Sequence, residues 1–132
     1  MKKISILRQL SAIITRAQGR KDVIGAETRR IMDQWLADKG WTQKLNFDEV
    51  SAKLGIRKDE ISLYVHQYYR QNYLSWRRNL RIEEAKRLLL DDMTIPAALI
   101  GEAVGITDKS NFRRQFKELT GYTPVEWRKL KH

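Results

Sequence analysis

From Lys109 to Lys117 the sequence reads KSNFRRQFK, with Phe112 and Phe116 four residues apart, the spacing that places two side chains on one side of a helix. Lys109, Ser110, Asn111, Arg113 and Arg114 then occupy the remaining surface. Their chemistry is that of paired donors and acceptors: a guanidinium donates twice to guanine N7 and O6, and a carboxamide pairs with adenine N7 and N6, each worth about 1–3 kcal/mol of discrimination between bases. These five are candidate base-reading residues. A merely solvated charged face is the competing reading.

A second polar set lies upstream. If Ile61 and Val65 face inward on a helix, Lys58, Asp59, Ser62, Leu63, His66 and Gln67 are left outside. Leu63 is then placed to touch a thymine methyl, whereas Asp59 repels phosphate and fits only by accepting from cytosine N4 or by orienting a neighbour. A helix that packs loosely on DNA, or that meets another protein, is the rival reading. Lys53, Arg78, Arg81 and Lys117 are candidates for phosphate, which positions a protein on a duplex without specifying sequence, and helix N-termini are expected to add backbone donors. Arg81, among Arg77, Glu83 and Glu84, has an equal claim to a structural role lacing one helix to its neighbours.

Other chemistry is poorly served. The 132 residues contain no cysteine, which excludes disulfides, thiolate metal sites and a thiol nucleophile. His66 and His132 have no companion at metal-ligand spacing, and no glycine-rich phosphate loop follows a strand. No catalytic residue, metal site or cofactor is expected. Trp35, Trp41, Trp76 and Trp127 sit at helical positions or helix ends and read as core. A net charge of +10 and a pI near 10.0 instead favour a polyanionic partner, either nucleic acid or an anionic membrane surface. No apolar run has the length of a membrane span, and the N-terminal stretch is too polar for a secretory leader. The expectation is a cytoplasmic protein with no membrane contact within this chain.

These side chains must be held by helices, because no run of Val, Ile and Thr alternates over strand length. An all-α fold is expected. Leu7, Leu10, Ile14 and Ala17 recur at helical spacing within 4–17, Gly19 to Asp22 reads as a break, and Ile31, Met32, Trp35 and Leu36 share a second face that Gly40 should end as a C-terminal glycine. Asn46 three residues before Glu49 is a capping-box signature, and the helix it opens carries Phe47, Val50 and Leu54 inward to Gly55. A further helix holds Ile61, Val65 and Tyr69. Tyr73 to Leu90 has neither Gly nor Pro and predicts a rod roughly 27 Å long. Pro96 suits the first turn of a helix ending at Gly105, another helix covers 110–119, and Thr123-Pro124-Val125-Glu126 opens a last one that should bury Trp127 and Leu130.

One pattern occurs twice. Val50, Ser51, Leu54, Gly55 and Ile56 match Ile100, Gly101, Val104, Gly105 and Ile106 at an offset of fifty, and after the turn Ile61 and Val65 match Phe112 and Phe116 at fifty-one. The second copy has one extra turn residue. A small residue inside the first helix and a glycine at the turn are the steric needs of a helix-turn-helix.

The segment from Phe47 to Arg128 resembles the DNA-binding domain of the AraC/XylS family of bacterial transcription regulators. The resemblance rests on Arg81-Ile82-Glu83-Glu84-Ala85-Lys86-Arg87-Leu88-Leu89, on Gly105 with Ser110, Phe112, Phe116 and Lys117, and on Gly121-Tyr122-Thr123-Pro124 with Trp127-Arg128. It departs from the pattern at Ile106, where Phe is usual, at Gly101, where Ala is preferred, at one residue inserted between Ile95 and Ile100, and at Arg70, which replaces the glycine after the first recognition helix.

The resemblance implies two helix-turn-helix units whose second helices enter successive major grooves of double-stranded DNA, about 34 Å apart, with a long helix between them. The expected organisation is an N-terminal helical extension at 1–44 containing two amphipathic helices, a first unit at 45–72, a linking helix at 73–90 and a second unit with a C-terminal helix at 91–132. RNA polymerase is a further candidate partner, and an effector or dimerisation domain upstream is another. Residues 1–44 read as a cap on the first unit, a dimerisation pair or the tail of a larger regulator. Alkyl-transfer DNA repair also uses domains of this kind but needs cysteine. The alternative function is a helical protein-interaction or membrane-surface module with only weak, non-specific DNA binding.

Overall fold

The computed structural model describes residues 24–131. The expected helix at 4–17, the break at 19–22 and His132 lie outside them. Among the described residues there are seven α-helices and no strand: α1 (Ala26–Ala37), α2 (Phe47–Leu54), α3 (Lys58–Tyr69), α4 (Tyr73–Asp91), α5 (Ala97–Ala103), α6 (Lys109–Thr120) and α7 (Pro124–Leu130), with a 3-10 turn at Gly40–Thr42. The all-α expectation holds. No described helix is long and apolar enough to cross a membrane.

Local chemistry sets most of the boundaries. Asn46 accepts from the Glu49 backbone while Glu49 reaches back to the Asn46 N–H, and Thr123 and Glu126 do the same for α7, whose first residue is Pro124. Gly55 and Gly121, with φ of 68° and 86°, end α2 and α6. Two boundaries differ from expectation. Gly40 does not end α1: Lys39 takes the left-handed conformation (φ 54°), and Gly40 instead lets the chain pass the Trp35 indole, whose ring atoms would lie 2.3 Å from a Cβ there. Pro96 is the N-cap of α5 rather than its first residue, and α5 stops at Ala103.

Two apolar cores flank α4. The first joins Met32, Trp35 and Trp41 to Val50, Ile56, Ile61, Tyr64, Val65, Tyr73 and Trp76. α1 is tied to α3 by polar contacts as well: Thr28 donates to Glu60 at 2.8 Å and the Tyr64 hydroxyl to Asp33 at 2.6 Å. The second core joins Ile82, Ala85 and Leu89 of α4 to Ile100, Val104, Ile106, Phe112 and Phe116, with Trp127 packed against it. Leu130 does not join it. It is 56% exposed, because α7 ends there and turns only its Trp127 side to the core.

The repeated pattern gives the same turn twice. The Ile56 N–H donates to the Ser51 carbonyl and the Ile106 N–H to the Gly101 carbonyl. The paired positions differ in size: the Ser51 hydroxyl donates to the Ile56 carbonyl, whereas a Cβ on Gly101 would lie 2.7 Å from the Phe112 ring, so the larger anchor requires the glycine. The extra residue in the second turn accommodates Asp108, whose carboxylate accepts from the Asn111 N–H at 2.7 Å as the N-cap of α6. α3 starts after Arg57 with no side-chain cap.

Arg70 ends α3 in the left-handed region at φ 59°. That conformation costs a residue with a Cβ about 1–2 kcal/mol, part of which a glycine returns through its larger unfolded-state entropy. Arg70→Gly is therefore expected to raise stability by about 0.5–1 kcal/mol, read as a higher urea midpoint with an unchanged slope.

Candidate nucleic-acid interface

Anchored by Phe112 and Phe116, both buried, α6 turns Lys109, Ser110, Arg113 and Arg114 to solvent, with Lys117 one turn further on. Asn111 is half-buried. Its side-chain oxygen accepts from the Arg114 guanidinium and, at 3.1 Å, from the Gln115 amide. Both lone pairs of that oxygen are thereby engaged, so bidentate pairing with adenine requires Asn111 to release one neighbour. Arg114 also donates to Glu118 at 3.2 Å, and Glu118 lies 3.6 Å from Arg78 of α4. Arg78, Ser75 and Arg77 of α4 and Gln115 of α6 line a polar groove of about 250 Å³ between the two helices.

α3 presents a sparser face. Ser62 and Gln67 are exposed, as expected, but Leu63 is only 5% exposed and cannot reach a thymine methyl. Helical spacing from Ile61 and Val65 placed it outside, yet α3 is packed by α1, α2 and α4 and so buries more than one stripe. His66 is half-buried, and its Nε2 is enclosed with no hydrogen-bond partner among the described residues, which withdraws that atom from a base edge. Lys58 pairs with Asp48 at 2.8 Å and sits over the Phe47 ring, and Asp59 pairs with Arg57 at 3.2 Å. Arg57 is shared with Glu60, at 2.9 Å, so the Asp59 charge is only partly offset.

Among the phosphate candidates, Lys117 is exposed and Lys53 is exposed while donating to Gln43 at 2.7 Å. Arg81 is not on the surface. It is 8% exposed, its Nε donating to the Trp41 carbonyl at 2.7 Å and a terminal nitrogen to the Gln43 carbonyl at 2.9 Å. Burial pulls its pKa down to about 10, still far above neutrality, so the guanidinium remains charged. Buried, and with Nε and one terminal nitrogen on backbone carbonyls, Arg81 takes the lacing role rather than the exposed phosphate position expected of it. One turn earlier Arg77 donates to the Leu45 carbonyl at 2.6 Å. Helix N-termini are also less open than expected, since Asp108 fills that of α6 and Asn46 that of α2.

Sequence reasoning missed how many arginines serve the backbone. Besides Arg77 and Arg81, Arg128 donates to the Leu89 carbonyl at 2.8 Å near the C-terminus of α4. The pairing of Arg114 with Glu118 was legible as an i,i+4 spacing, but the bridge from Glu118 to α4 was not.

A family model described as a helix-turn-helix domain matches residues 50–130, which span both turns and α4. The chain belongs to the AraC-type helix-turn-helix family. It is 33% identical over 125 residues to the arabinose operon regulatory protein of Escherichia coli K12, an alignment covering 93% of this chain and 40% of that protein. A helix-turn-helix transcriptional regulator of Bacillus subtilis is 29% identical over 90 residues, 68% of this chain and 31% of that one. The chain thus spans well under half the length of these relatives. In fold it is similar to the C-terminal domain of AraT, a response regulator from Geobacillus stearothermophilus (TM-score 0.69, 24% identity, 81% of this chain and 87% of that one). It is also similar to the C-terminal domain of the response regulator yesN from Fusobacterium nucleatum (TM-score 0.65, 24% identity, 76% and 97%). As an AraC-type domain it belongs to the DNA-binding class of transcription regulators. The alignment covers more than the stretch from Phe47 to Arg128 that carried the resemblance, and α1 shares a core with α2 and α3.

Proposed function

We propose that this chain binds a specific double-stranded DNA sequence by placing α3 and α6 in successive major grooves, with α4, about 28 Å long at 1.5 Å per residue, spanning the gap. The observation that carries this reading is the face of α6: Lys109, Ser110, Arg113 and Arg114 exposed on a helix whose opposite side is locked by Phe112 and Phe116. Ser62 and Gln67 of α3, with Lys58 and Asp59 once freed from their local pairs, form a weaker reading set. Lys53, Arg78 and Lys117 are the phosphate contacts. Specificity is concentrated on α6.

The role is regulatory and non-enzymatic, and it places the protein in the bacterial cytoplasm. RNA polymerase, and an effector or dimerisation domain of the kind that longer regulators carry, complete the proposed partners. The enclosure of Leu63 and the local pairing of Asp59 weigh against α3 as an equal partner in base reading.

Selection from random oligonucleotides should enrich one motif, with affinity for it falling steeply as salt rises. Arg114→Ala should then lose preference at particular base pairs, by about 1–3 kcal/mol each, while Lys117→Ala weakens all duplexes alike. Competition binding against single base-pair variants separates the two. An unenriched pool would leave only non-specific attraction and sink the reading.

A further inference from the structure

Arg114 is held from two sides within one small network. Its two terminal nitrogens go to different acceptors, one to Glu118 a turn ahead and the other to Asn111 a turn behind. Glu118 divides its two oxygens between helices, Oε1 to Arg114 at 3.2 Å and Oε2 to Arg78 of α4 at 3.6 Å. Asn111 is in turn held by Gln115. A guanidinium carries five N–H donors, and each terminal nitrogen has two of them. One hydrogen on each is used here, which leaves one on each for a second planar partner. The intramolecular contacts therefore do not compete with bidentate pairing to guanine. They fix the plane in which it must occur.

We propose that Glu118 is a positioning residue for Arg114, one that ties the reading guanidinium to the linking helix through Arg78 and thereby sharpens discrimination at the base pair Arg114 faces; the inference rests on the DNA-reading role proposed above. The sign of its charge makes the assignment testable. A carboxylate on the DNA-facing side repels phosphate, so a purely electrostatic Glu118 would only weaken binding, and by the same factor on every sequence. A positioning Glu118 has an effect on selectivity that charge cannot mimic. It also holds the Arg114 fork in one rotamer before binding, so less side-chain freedom is lost when guanine is engaged.

The test measures dissociation constants of wild type, Glu118→Ala, Glu118→Gln, Arg114→Ala and the Glu118→Ala/Arg114→Ala double variant. The duplexes are the selected sequence, its variants at the base pair that Arg114→Ala identifies, and an unrelated sequence, with folding checked by thermal melting. Glu118→Ala should bind the unrelated duplex more tightly, yet lose about threefold to tenfold of its discrimination at the Arg114 position, in the range of coupling between contacting side chains. Glu118→Gln, which keeps an acceptor oxygen, should retain most of it. In the double variant no further discrimination should be lost beyond that of Arg114→Ala. If the wild type selects a motif and Glu118→Ala changes every duplex by the same factor, the inference is overturned and the DNA-reading role stands. If the wild type selects none, both fall together.

Discussion

Replacing Arg81 with alanine is expected to destabilise the protein by about 3 kcal/mol, the loss of two charge-assisted hydrogen bonds together with the cost of leaving their carbonyl acceptors short of partners. The guanidinium donates to both the Trp41 and the Gln43 carbonyls across some forty residues of sequence, and the Gln43 carbonyl also accepts from the Leu45 N–H at 2.9 Å. With Arg77 on the Leu45 carbonyl, it fastens the segment between α1 and α2 to the linking helix. Lysine should rescue little, because one ammonium cannot reproduce a planar fork aimed at two acceptors. Urea unfolding of Arg81→Ala and Arg81→Lys checks this, and the loss should be flat across neutral pH because the wild-type group stays charged there. Loss of DNA affinity at unchanged stability would instead return Arg81 to the phosphate set.

Arg81 also marks where sequence reasoning runs out. Helix starts were legible because they are local: Asn46 with Glu49, and Thr123 with Glu126, need only a spacing of three. The repeat was legible because the same packing problem, a close helix crossing after a tight turn, imposes the same residue sizes twice. Leu63 was misread because period alone assumes one buried stripe, whereas a helix covered by three neighbours has more. Gly40 was assigned to the wrong task, since nothing local says that the Trp35 ring will stand where its Cβ would be. The arginines divide the same way. Whether a cation faces phosphate or a backbone carbonyl depends on which segment packs beside it, and that is set by tertiary structure. A net positive charge consequently overstates the DNA-facing charge by each arginine that serves the backbone.

The two turn glycines of the repeat look interchangeable in sequence and differ in the structure. Gly55 needs only its φ of 68°, since a Cβ there would meet nothing within 4 Å. Gly105, at φ 94°, would place a Cβ 2.7 Å from the Thr42 carbonyl oxygen and 3.1 Å from the Arg81 guanidinium. The turn of the second unit thus rests directly on the 3-10 turn that precedes the first, with Arg81 between them. This junction, together with α4, sets how α3 and α6 are disposed.

Gly105→Ala is accordingly expected to cost about 2–4 kcal/mol, combining left-handed strain with a backbone clash that neither partner can relieve by changing rotamer. Gly55→Ala should cost only the strain, about 1–2 kcal/mol. The difference should reach DNA. The junction lies where the first core, through Trp41, meets the second, through Val104 and Ile106, and a clash there is expected to shift the two units relative to each other while Phe112 and Phe116 still anchor α6. A duplex carrying both half-sites should then lose at least about tenfold in affinity for folded Gly105→Ala, since successive contacts must share one helical phase of the DNA. A duplex carrying only the α6 half-site should bind nearly as wild type does. Measuring both duplexes below the variant's melting temperature, with Gly55→Ala alongside, separates misplacement from unfolding. Equal losses on the full and half sites would mean that the junction stabilises the fold without setting the spacing.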